Sequence, residues 1–184
     1  DGELEYTKAH NVPVVLASTG YTAEQLEKIE QASKQVAVFK TANFTLGVNL
    51  LVGLVKKAAE ALGENFDIEI VERHHNRKVD APSGTALMLA DAINDTLAEK
   101  REYVEGRSGI LGRRGNEIGI HAVRGGTIVG EHEVMFAGED EIVTLSHSAR
   151  SKRVFAAGAI RAAKWMAGKP AGMYDMNDVL SDIL

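Results

Sequence analysis

The chain alternates short apolar runs with stretches of helical spacing. The apolar runs at 14–17 and 36–39 predict two buried strands. Between them, Thr22 precedes Gln25 by three positions, a capping-box spacing that predicts a helix to about residue 33. Residues 1–45 therefore have the pattern of a strand, a helix and a strand from a parallel α/β unit without its usual beginning.

Two longer segments, 46–62 and 83–99, predict helices that face a sheet. In the first, apolar side chains recur at four-residue intervals, at Leu50, Leu54, Ala58 and Leu62. Gly63 follows and is predicted to be the C-cap. In the second helix the apolar side is formed by Leu87, Ala90, Ile93 and Leu97. Between the helices, residues 67–73 alternate apolar and charged positions and predict a strand.

Three strand patterns follow at 117–123, 127–136 and 141–148, with glycine-containing turns between them, and they predict an antiparallel β-meander. The glycines and paired arginines of 99–114 predict an exposed loop. A helix capped by Ser151 and a short helix from Asn177 complete the pattern. The predicted fold class is α+β, with a mixed, mostly antiparallel sheet and helices on one face, beside part of a parallel α/β unit.

Composition narrows the class of protein. A hydrophobic content of 45% and a charged content of 26% are typical of a globular domain. The formal net charge of -5 argues against nucleic acid or an acidic membrane as a partner. The absence of cysteine excludes disulfides, thiolate metal sites and a cysteine nucleophile, and it fits a cytoplasmic protein. The longest apolar stretch, 46–55, is too short to span a bilayer.

Residues 72–85 contain more candidate catalytic and binding groups than any other segment of the chain. His74 and His75 precede Lys78 by four and three positions, and a Pro-Ser-Gly-Thr turn then opens a predicted helix at Gly84 and Thr85. The free N–H groups at a helix start bind carboxylates, and a histidine is a natural proton donor near neutral pH. By itself the turn would be only an N-cap. Adjacent strand residues face opposite sides, so at most one of the two histidines is expected to be the acid.

Other polar residues are interpreted structurally. His121, His132 and His147 match no zinc-binding spacing, so no metal site is assigned. Arg124 is interpreted as part of a hairpin turn. Asp80 is predicted to satisfy backbone groups of the turn or to orient Lys78.

The string H-H-N-R-K-V-D-A-P-S-G-T-A-L at 74–87 resembles the signature of the 4-hydroxy-tetrahydrodipicolinate (dihydrodipicolinate) reductase family, which serves the diaminopimelate route to lysine. A-S-T-G-Y at 17–21 is similar to the family's cofactor loop, and T-A-N-F-T-L-G-V-N at 41–49 is similar to a second segment of it. Matching strings at 124–134 and 146–159 follow in the family's order, so the resemblance covers essentially the whole chain.

The resemblance implies a role for each matching residue. His74 would be the proton donor and acceptor, and Lys78 would be a second proton donor. His75 would contact the substrate, while Gly84 and Thr85 would hold one of its carboxylates. NADPH or NADH would supply the hydride, and its nicotinamide half would contact Ala17, Ser18, Thr19, Thr41, Ala42, Asn43 and Phe44.

The resemblance also implies an organisation into domains. Residues 1–45 would be a partial dinucleotide-binding domain, a remnant of a Rossmann-type α/β fold. Residues 46–155 would form the domain for substrate binding, catalysis and oligomerisation, and 156–184 would return as helices to the nucleotide-binding domain. The partners implied are a small dicarboxylate and further copies of the chain, in a homotetramer formed through the sheet.

The front of the chain departs from the family pattern. The family begins with a strand and a G-x-x-G-x-x-G loop, which receives the cofactor pyrophosphate at a helix N-terminus. No such loop stands at the front of this chain, and Ala17 replaces the first glycine of the following cofactor loop. We therefore expect a truncated form with impaired cofactor binding.

Two further functions stay open. A non-catalytic fragment for dicarboxylate binding or assembly would bind the dicarboxylate without oxidising NAD(P)H. A relative that acts on another amino-acid precursor, such as a semialdehyde dehydrogenase, is the third candidate, and the absence of cysteine counts against its thiol-dependent kind.

Overall fold

The computed structural model describes residues 2–18 and 20–183. The helices are α1 (Gly2–His10), α2 (Ala23–Ser33), α3 (Leu46–Leu62), α4 (Gly84–Asn94), α5 (Arg153–Trp165) and α6 (Met176–Ser181). The strands are β1 (Val14–Leu16), β2 (Ala37–Lys40), β3 (Asp67–His74), β4 (Tyr103–Glu105), β5 (Ile118–Arg124), β6 (Gly130–Ala137), β7 (Ile142–Ala149) and β8 (Gly172–Tyr174). Within the described ranges, no helix is long and apolar enough to cross a membrane.

The chain divides into two compact units. The terminal unit comprises the residues up to Asn49 and those from Arg153 onward, and the middle unit comprises Leu50–Lys152. The terminal unit is built on a parallel sheet in the order β1-β2-β8. Alternate residues of β2 enter different cores: Val38 packs with α1 and α2, whereas Phe39 packs with α5 and α6. Helices thus cover both faces, as a parallel sheet requires.

The predicted elements of the terminal unit are confirmed. The side chain of Thr22 accepts a hydrogen bond from the backbone of Gln25, and the Gln25 side chain accepts one from the backbone of Thr22, so the capping box before α2 is present. The short helix from Asn177 is also confirmed as α6. Helix α1 was not predicted, because it buries only Leu4 and Thr7 and has little apolar periodicity.

The middle unit contains a mixed five-stranded sheet in the order β4-β5-β3-β6-β7. Strand β3 is parallel to β5 and antiparallel to β6, and β6 is antiparallel to β7. The sheet is therefore mixed and belongs to an α+β fold. The predicted meander is wrong at its first step, because β3 lies between β5 and β6. Arg124 accordingly does not belong to a hairpin between neighbouring strands.

Helices α3 and α4 pack on one face of this sheet. The bounds predicted for α3 are confirmed, but its buried side was misplaced by one position. Leu50 and Leu54 are 38% and 45% exposed, whereas the side chains that enter the core are Leu51, Val55 and Ala59. Apolar residues stand at both sets of positions, so spacing alone did not distinguish the two sides.

Gly63 stands at the predicted C-cap position, directly after α3, and its N–H donates to the carbonyl of Ala59 at 2.9 Å. The φ angle of Gly63 does not lie in the positive, left-handed range. A Cβ at this position would lie 2.3 Å from Leu97 and 2.6 Å from the backbone oxygen of Ala59. Only a glycine fits between these neighbours.

Helix α4 ends five residues earlier than predicted. The side chain of Asn94 accepts from the backbone N–H of Arg101 at 2.8 Å and donates to its carbonyl at 2.9 Å, which turns the chain away from the helix. The guanidinium of Arg101 is buried and donates to the carbonyls of Gly63 and Phe66. The stretch 99–114 is thus more than an exposed loop, since it holds β4 and a buried arginine.

Candidate active site

Strand β3 carries a carboxylate into the apolar face of its sheet. Ile68 and Ile70 face α3 and α4 and are fully buried. Glu72 is the next residue on that face, and its side chain is also 0% exposed. The last strand residue on this side is His74, because β3 ends there. His75 lies beyond the strand, so the two histidines do not face opposite sides of one regular strand.

The buried carboxylate of Glu72 accepts hydrogen bonds from three residues. Arg124 donates to both of its oxygens, at 2.8 and 2.7 Å, and His74 donates from Nδ1 at 2.6 Å. The backbone N–H of Ser83 donates at 3.0 Å. Burial acts to raise the pKa of Glu72, but the hydrogen bonds from Arg124, His74 and Ser83 outweigh it, and the net pKa is lowered. Glu72 is therefore an anion at neutral pH.

Arg124 joins this carboxylate to the loop that carries Lys78. Its hydrogen bonds to Glu72 raise the pKa of the Arg124 guanidinium. The same guanidinium donates to the backbone carbonyl of Asp80 at 2.6 Å, and the Asp80 carboxylate accepts from Lys78 Nζ at 2.8 Å. The hydrogen bond from Lys78 lowers the pKa of Asp80. The Lys78 loop and the His74 strand are thus fixed to one arginine.

The contact with Glu72 determines how His74 can act. With Nδ1–H donated to the carboxylate, Nε2 is the ring atom left to exchange a proton with a ligand. Nε2 lies beside Gly130, where a Cβ would approach it to 3.0 Å. The glycine leaves room around Nε2.

The start of α4 lies one residue from this network. Ser83 is the N-cap, and its Oγ accepts from the backbone N–H of Ala86 at 3.2 Å. Gly84 and Thr85 are the first two helical residues and lie at the positive end of the helix dipole. A Cβ at Gly84 would meet no atom within 4 Å, so the backbone there is open to an approaching group.

Two more histidines lie around the site. His132 is 5% exposed, and its Nε2 is 2.9 Å from Ser83 Oγ. Its ring meets that of His74 edge-on, with centroids 5.2 Å apart. Burial, followed by the charge of His74, lowers the pKa of His132 to about 4, so it is neutral at pH 7. Desolvation, with the charges of Lys152 and Arg77, lowers the pKa of His75.

The predicted site residues fall into two groups. His74, His75, Lys78, Gly84 and Thr85 all belong to the middle unit, and the hydrogen bonds of Glu72 and Arg124 connect the segments that carry them. The residues predicted to contact the cofactor belong to the terminal unit: Ala17, Ser18, Thr41, Ala42, Asn43 and Phe44. Thr19, the remaining member of that set, lies outside the described residues.

Comparison with known proteins gives the family. Residues 47–180 match the family model "Dihydrodipicolinate reductase, C-terminus", and residues 2–44 match "Dihydrodipicolinate reductase, N-terminus". The chain belongs to the dihydrodipicolinate reductase family. It is 59% identical to the 4-hydroxy-tetrahydrodipicolinate reductase of Caldanaerobacter subterraneus subsp. tengcongensis over 92% of this chain and 67% of the relative. It is 55% identical to the Clostridium novyi enzyme of the same name over 98% of this chain and 71% of that one.

A solved structure gives the same family. The dipicolinate-bound dihydrodipicolinate reductase from Paenisporosarcina sp. TG-14 superposes with a TM-score of 0.77 at 26% identity, and the match covers 95% of this chain and 66% of that one. The chain thus spans about two thirds of the length of the relatives that it matches.

The terminal unit brings the two predicted cofactor segments to one edge of its sheet. Strands β1 and β2 are parallel, and Leu16 pairs with Lys40, so the two predicted cofactor segments leave the same edge of the sheet. The second segment is held in shape by its own side chains. Asn43 Oδ1 accepts from the backbone N–H of Thr45 at 2.8 Å, and the Asn49 side chain donates to the Asn43 carbonyl at 2.7 Å.

The segment 17–22, which leads from β1 into α2, contains one glycine and no G-x-x-G-x-x-G string. At the N-terminus of α2, which follows β1, a capping box occupies the backbone N–H groups of Thr22 and Gln25. A G-x-x-G-x-x-G string does occur at 106–112, a match that sequence reasoning passed over. It lies between β4 and β5, and no helix begins after it, so it lacks the converging N–H groups of a phosphate loop.

Sequence reasoning missed the functional contacts of Glu72, Arg124, Ser83 and His132. One signal could have identified Glu72. It stands two positions after Ile70 and four after Ile68, and therefore on the core-facing side of the predicted strand. A carboxylate at such a position needs a charged or hydrogen-bonding partner. Nothing in the sequence identified Arg124 as that partner, because it is 52 residues away in the chain.

Proposed function

We propose that the chain carries the substrate-binding and proton-donating part of a reductase of lysine biosynthesis, which reduces 4-hydroxy-tetrahydrodipicolinate with NADPH or NADH. One observation carries the proposal: the histidine oriented by Glu72 and the open start of α4 are fixed to the same buried carboxylate. The first can donate a proton and the second can hold an anion. A cyclic dicarboxylate that loses its hydroxyl group as water and gains a hydride and a proton needs both.

The residues of the middle unit divide this work. Gly84 and Thr85 bind a substrate carboxylate through the N–H groups at the start of α4, and His75 contacts the substrate. His74 delivers a proton from Nε2, while its Nδ1–H stays on Glu72. Lys78, which is paired with Asp80 at 2.8 Å, provides the second proton and a positive charge for the dianion.

The cofactor supplies the hydride when it is bound. In the proposal its nicotinamide half is held by Ala17, Ser18, Thr19 and the segment 41–44. In the proposal these residues bind the cofactor weakly, because the segment 17–22 between β1 and α2 contains no G-x-x-G-x-x-G string. The domain assignment extends this division: 1–45 for the nucleotide, 46–155 for substrate and assembly, and 156–184 returning to the nucleotide domain.

Assembly and location form the remaining part of the proposal. We place the protein in the cytoplasm as a homotetramer formed through the five-stranded sheet. The sheet face opposite α3 and α4 is available in the middle unit and carries polar groups, with His121 Nε2 at 2.8 Å from Glu69 and Arg107 bound to the same carboxylate. Polar faces of this kind suit a specific, hydrogen-bonded interface.

The carboxylate site is tested by calorimetry with pyridine-2,6-dicarboxylate. The chain is expected to bind it, and Gly84→Ala is expected to weaken binding by roughly tenfold, because the added methyl group obstructs the helix start. Gly53→Ala is the matched control, since Gly53 is also helical and also has no atom within 4 Å of an added Cβ. Equal affinity in both variants would contradict the site.

The reaction is tested by NADPH oxidation with 4-hydroxy-tetrahydrodipicolinate. At micromolar NADPH we expect little or no turnover by this chain. With the protein in excess and NADPH raised to the millimolar range, a single turnover is expected, and His74→Gln should slow it by about 100-fold. Dicarboxylate binding without oxidation at any NADPH concentration would favour the non-catalytic binding fragment.

A further inference from the structure

We propose that Glu72, held by Arg124, is a positioning residue that fixes the Nδ1–H tautomer of His74, so that Nε2 takes up and returns the proton, and that aligns the ring with the start of α4. The inference rests on the proposed role of His74. It adds two residues, Glu72 and Arg124, that touch no substrate and act through the histidine and the helix.

The cost of burying Glu72 is the first observation behind this assignment. Its side chain is 0% exposed, and its partner Arg124 is 19% exposed. Replacing such a buried ion pair with apolar residues often leaves a protein equally stable or more so, so stability alone does not account for the pair. Its geometry points to a positioning role. One oxygen of Glu72 accepts a hydrogen bond from His74, and the other accepts one from the backbone N–H of Ser83.

The distribution of donors around the carboxylate determines the tautomer. Oε2 accepts from His74 Nδ1 and from Arg124 Nη1, whereas Oε1 accepts from Ser83 N and from Arg124 Nη2. Every one of these groups faces an acceptor, so Nδ1 of His74 must carry a hydrogen. Nε2 is then the ring atom that accepts a proton and passes it to the substrate, while Nδ1–H stays on Glu72. Arg124 balances the charge of Glu72 and prevents the carboxylate from rotating away.

The same carboxylate sets the distance between proton donor and anion site. Its bond to Ser83 N holds the residue immediately before Gly84. His132 strengthens this connection, since it contacts Ser83 Oγ at 2.9 Å and packs against the His74 ring. A substrate carboxylate bound at the helix start would therefore lie at a fixed position relative to Nε2.

The opposite face of β3 carries a second carboxylate that is bound by a histidine and an arginine, and it provides a control for substitution of Glu72. There Glu69 accepts from His121 Nε2 at 2.8 Å and from Arg107 at 3.0 Å. This second carboxylate, histidine and arginine set has no contact with the start of α4. Glu69→Gln therefore matches Glu72→Gln in the kind of bond removed.

The test is ¹⁵N NMR of the histidine rings in the full 184-residue chain. In Glu72→Gln the amide oxygen is best placed at the Oε1 position, where Ser83 N and Arg124 donate, so the NH₂ group faces His74 Nδ1. We expect His74 to change from the Nδ1–H to the Nε2–H tautomer in Glu72→Gln, and to remain Nδ1–H in Glu69→Gln. An unchanged His74 tautomer in Glu72→Gln would overturn the proposal.

A kinetic measurement separates positioning from a merely structural role. Glu72→Gln is expected to slow the single turnover by about 100-fold while affinity for pyridine-2,6-dicarboxylate falls less than tenfold. Equal losses in rate and affinity would contradict a role through His74. The NMR result does not depend on turnover, so a tautomer change in a chain that never oxidises NADPH would support the positioning role while rejecting the reductase function.

Discussion

At the residue scale, burial of His132 makes a prediction about acid stability. Its pKa is lowered to about 4 in the folded chain, against an ordinary value of 6.5. The unfolded chain therefore takes up a proton first as the pH falls, so His132 lowers the free energy of unfolding between pH 6.5 and 4. From pH 7 to pH 5 the expected loss is about 2 kcal/mol.

Urea unfolding at the two pH values measures this loss. His132→Asn should remove about 2 kcal/mol of the pH dependence, whatever its effect on stability at pH 7. His10→Asn, a change at an exposed histidine near the end of α1, is the comparison variant. If the wild-type chain and His132→Asn lose equal free energy between pH 7 and 5, His132 is not buried as a neutral ring.

Single residues also show what the sequence could predict. His74, Lys78, Gly84 and Thr85 were identified because they lie within twelve consecutive positions. Arg124 was interpreted as a turn residue, because its role depends on β3 pairing with β5 and bringing the arginine beside His74. That register is a tertiary property, and no local pattern around Arg124 encodes it.

At the element scale, the N-terminus of α4 combines a stability role with a binding role. Ser83→Ala removes the cap of Ala86 N and the partner of His132 Nε2. We expect a loss of about 1–3 kcal/mol in the free energy of unfolding, and at least a threefold loss of affinity for pyridine-2,6-dicarboxylate, because the first turn of α4 frays.

Thr22→Ala is the matched control for this change. Thr22 caps α2 in the terminal unit through the same kind of hydrogen bond, to Gln25 N at 3.2 Å. Its loss should cost about 1 kcal/mol and leave dicarboxylate affinity unchanged. A similar loss of affinity in both variants would show that affinity follows general stability and does not depend on the start of α4.

The elements differ in how well local pattern predicted them. Capping residues and alternation correctly gave α2, β3 and the start of α4, because these signals depend on neighbours in the chain. The order of strands was missed at β5 and β6, where short turns suggested a hairpin. Strand β3 pairs with both of them, and this long-range pairing overrides the turn signal.

At the scale of the whole molecule, the two units explain why one half of the function is better defined than the other. The middle unit holds the proposed proton donors and the start of α4 within its own hydrogen-bond network. The terminal unit offers the edge of a parallel sheet, where β1 and β2 lead into the predicted cofactor segments. Substrate recognition and cofactor recognition should therefore be separable by experiment.

The last prediction uses this separation. If these 184 residues contact only the nicotinamide half of the cofactor, the adenosine and its phosphates add little binding energy. NADPH and reduced nicotinamide mononucleotide should then bind with affinities within about threefold of each other, a difference below 1 kcal/mol. Fluorescence titration of the reduced nicotinamide measures both, with and without saturating pyridine-2,6-dicarboxylate. A tenfold or larger preference for NADPH would show that the chain holds the adenosine half after all, and the G-x-x-G-x-x-G string at 106–112 would then be the first segment to mutate.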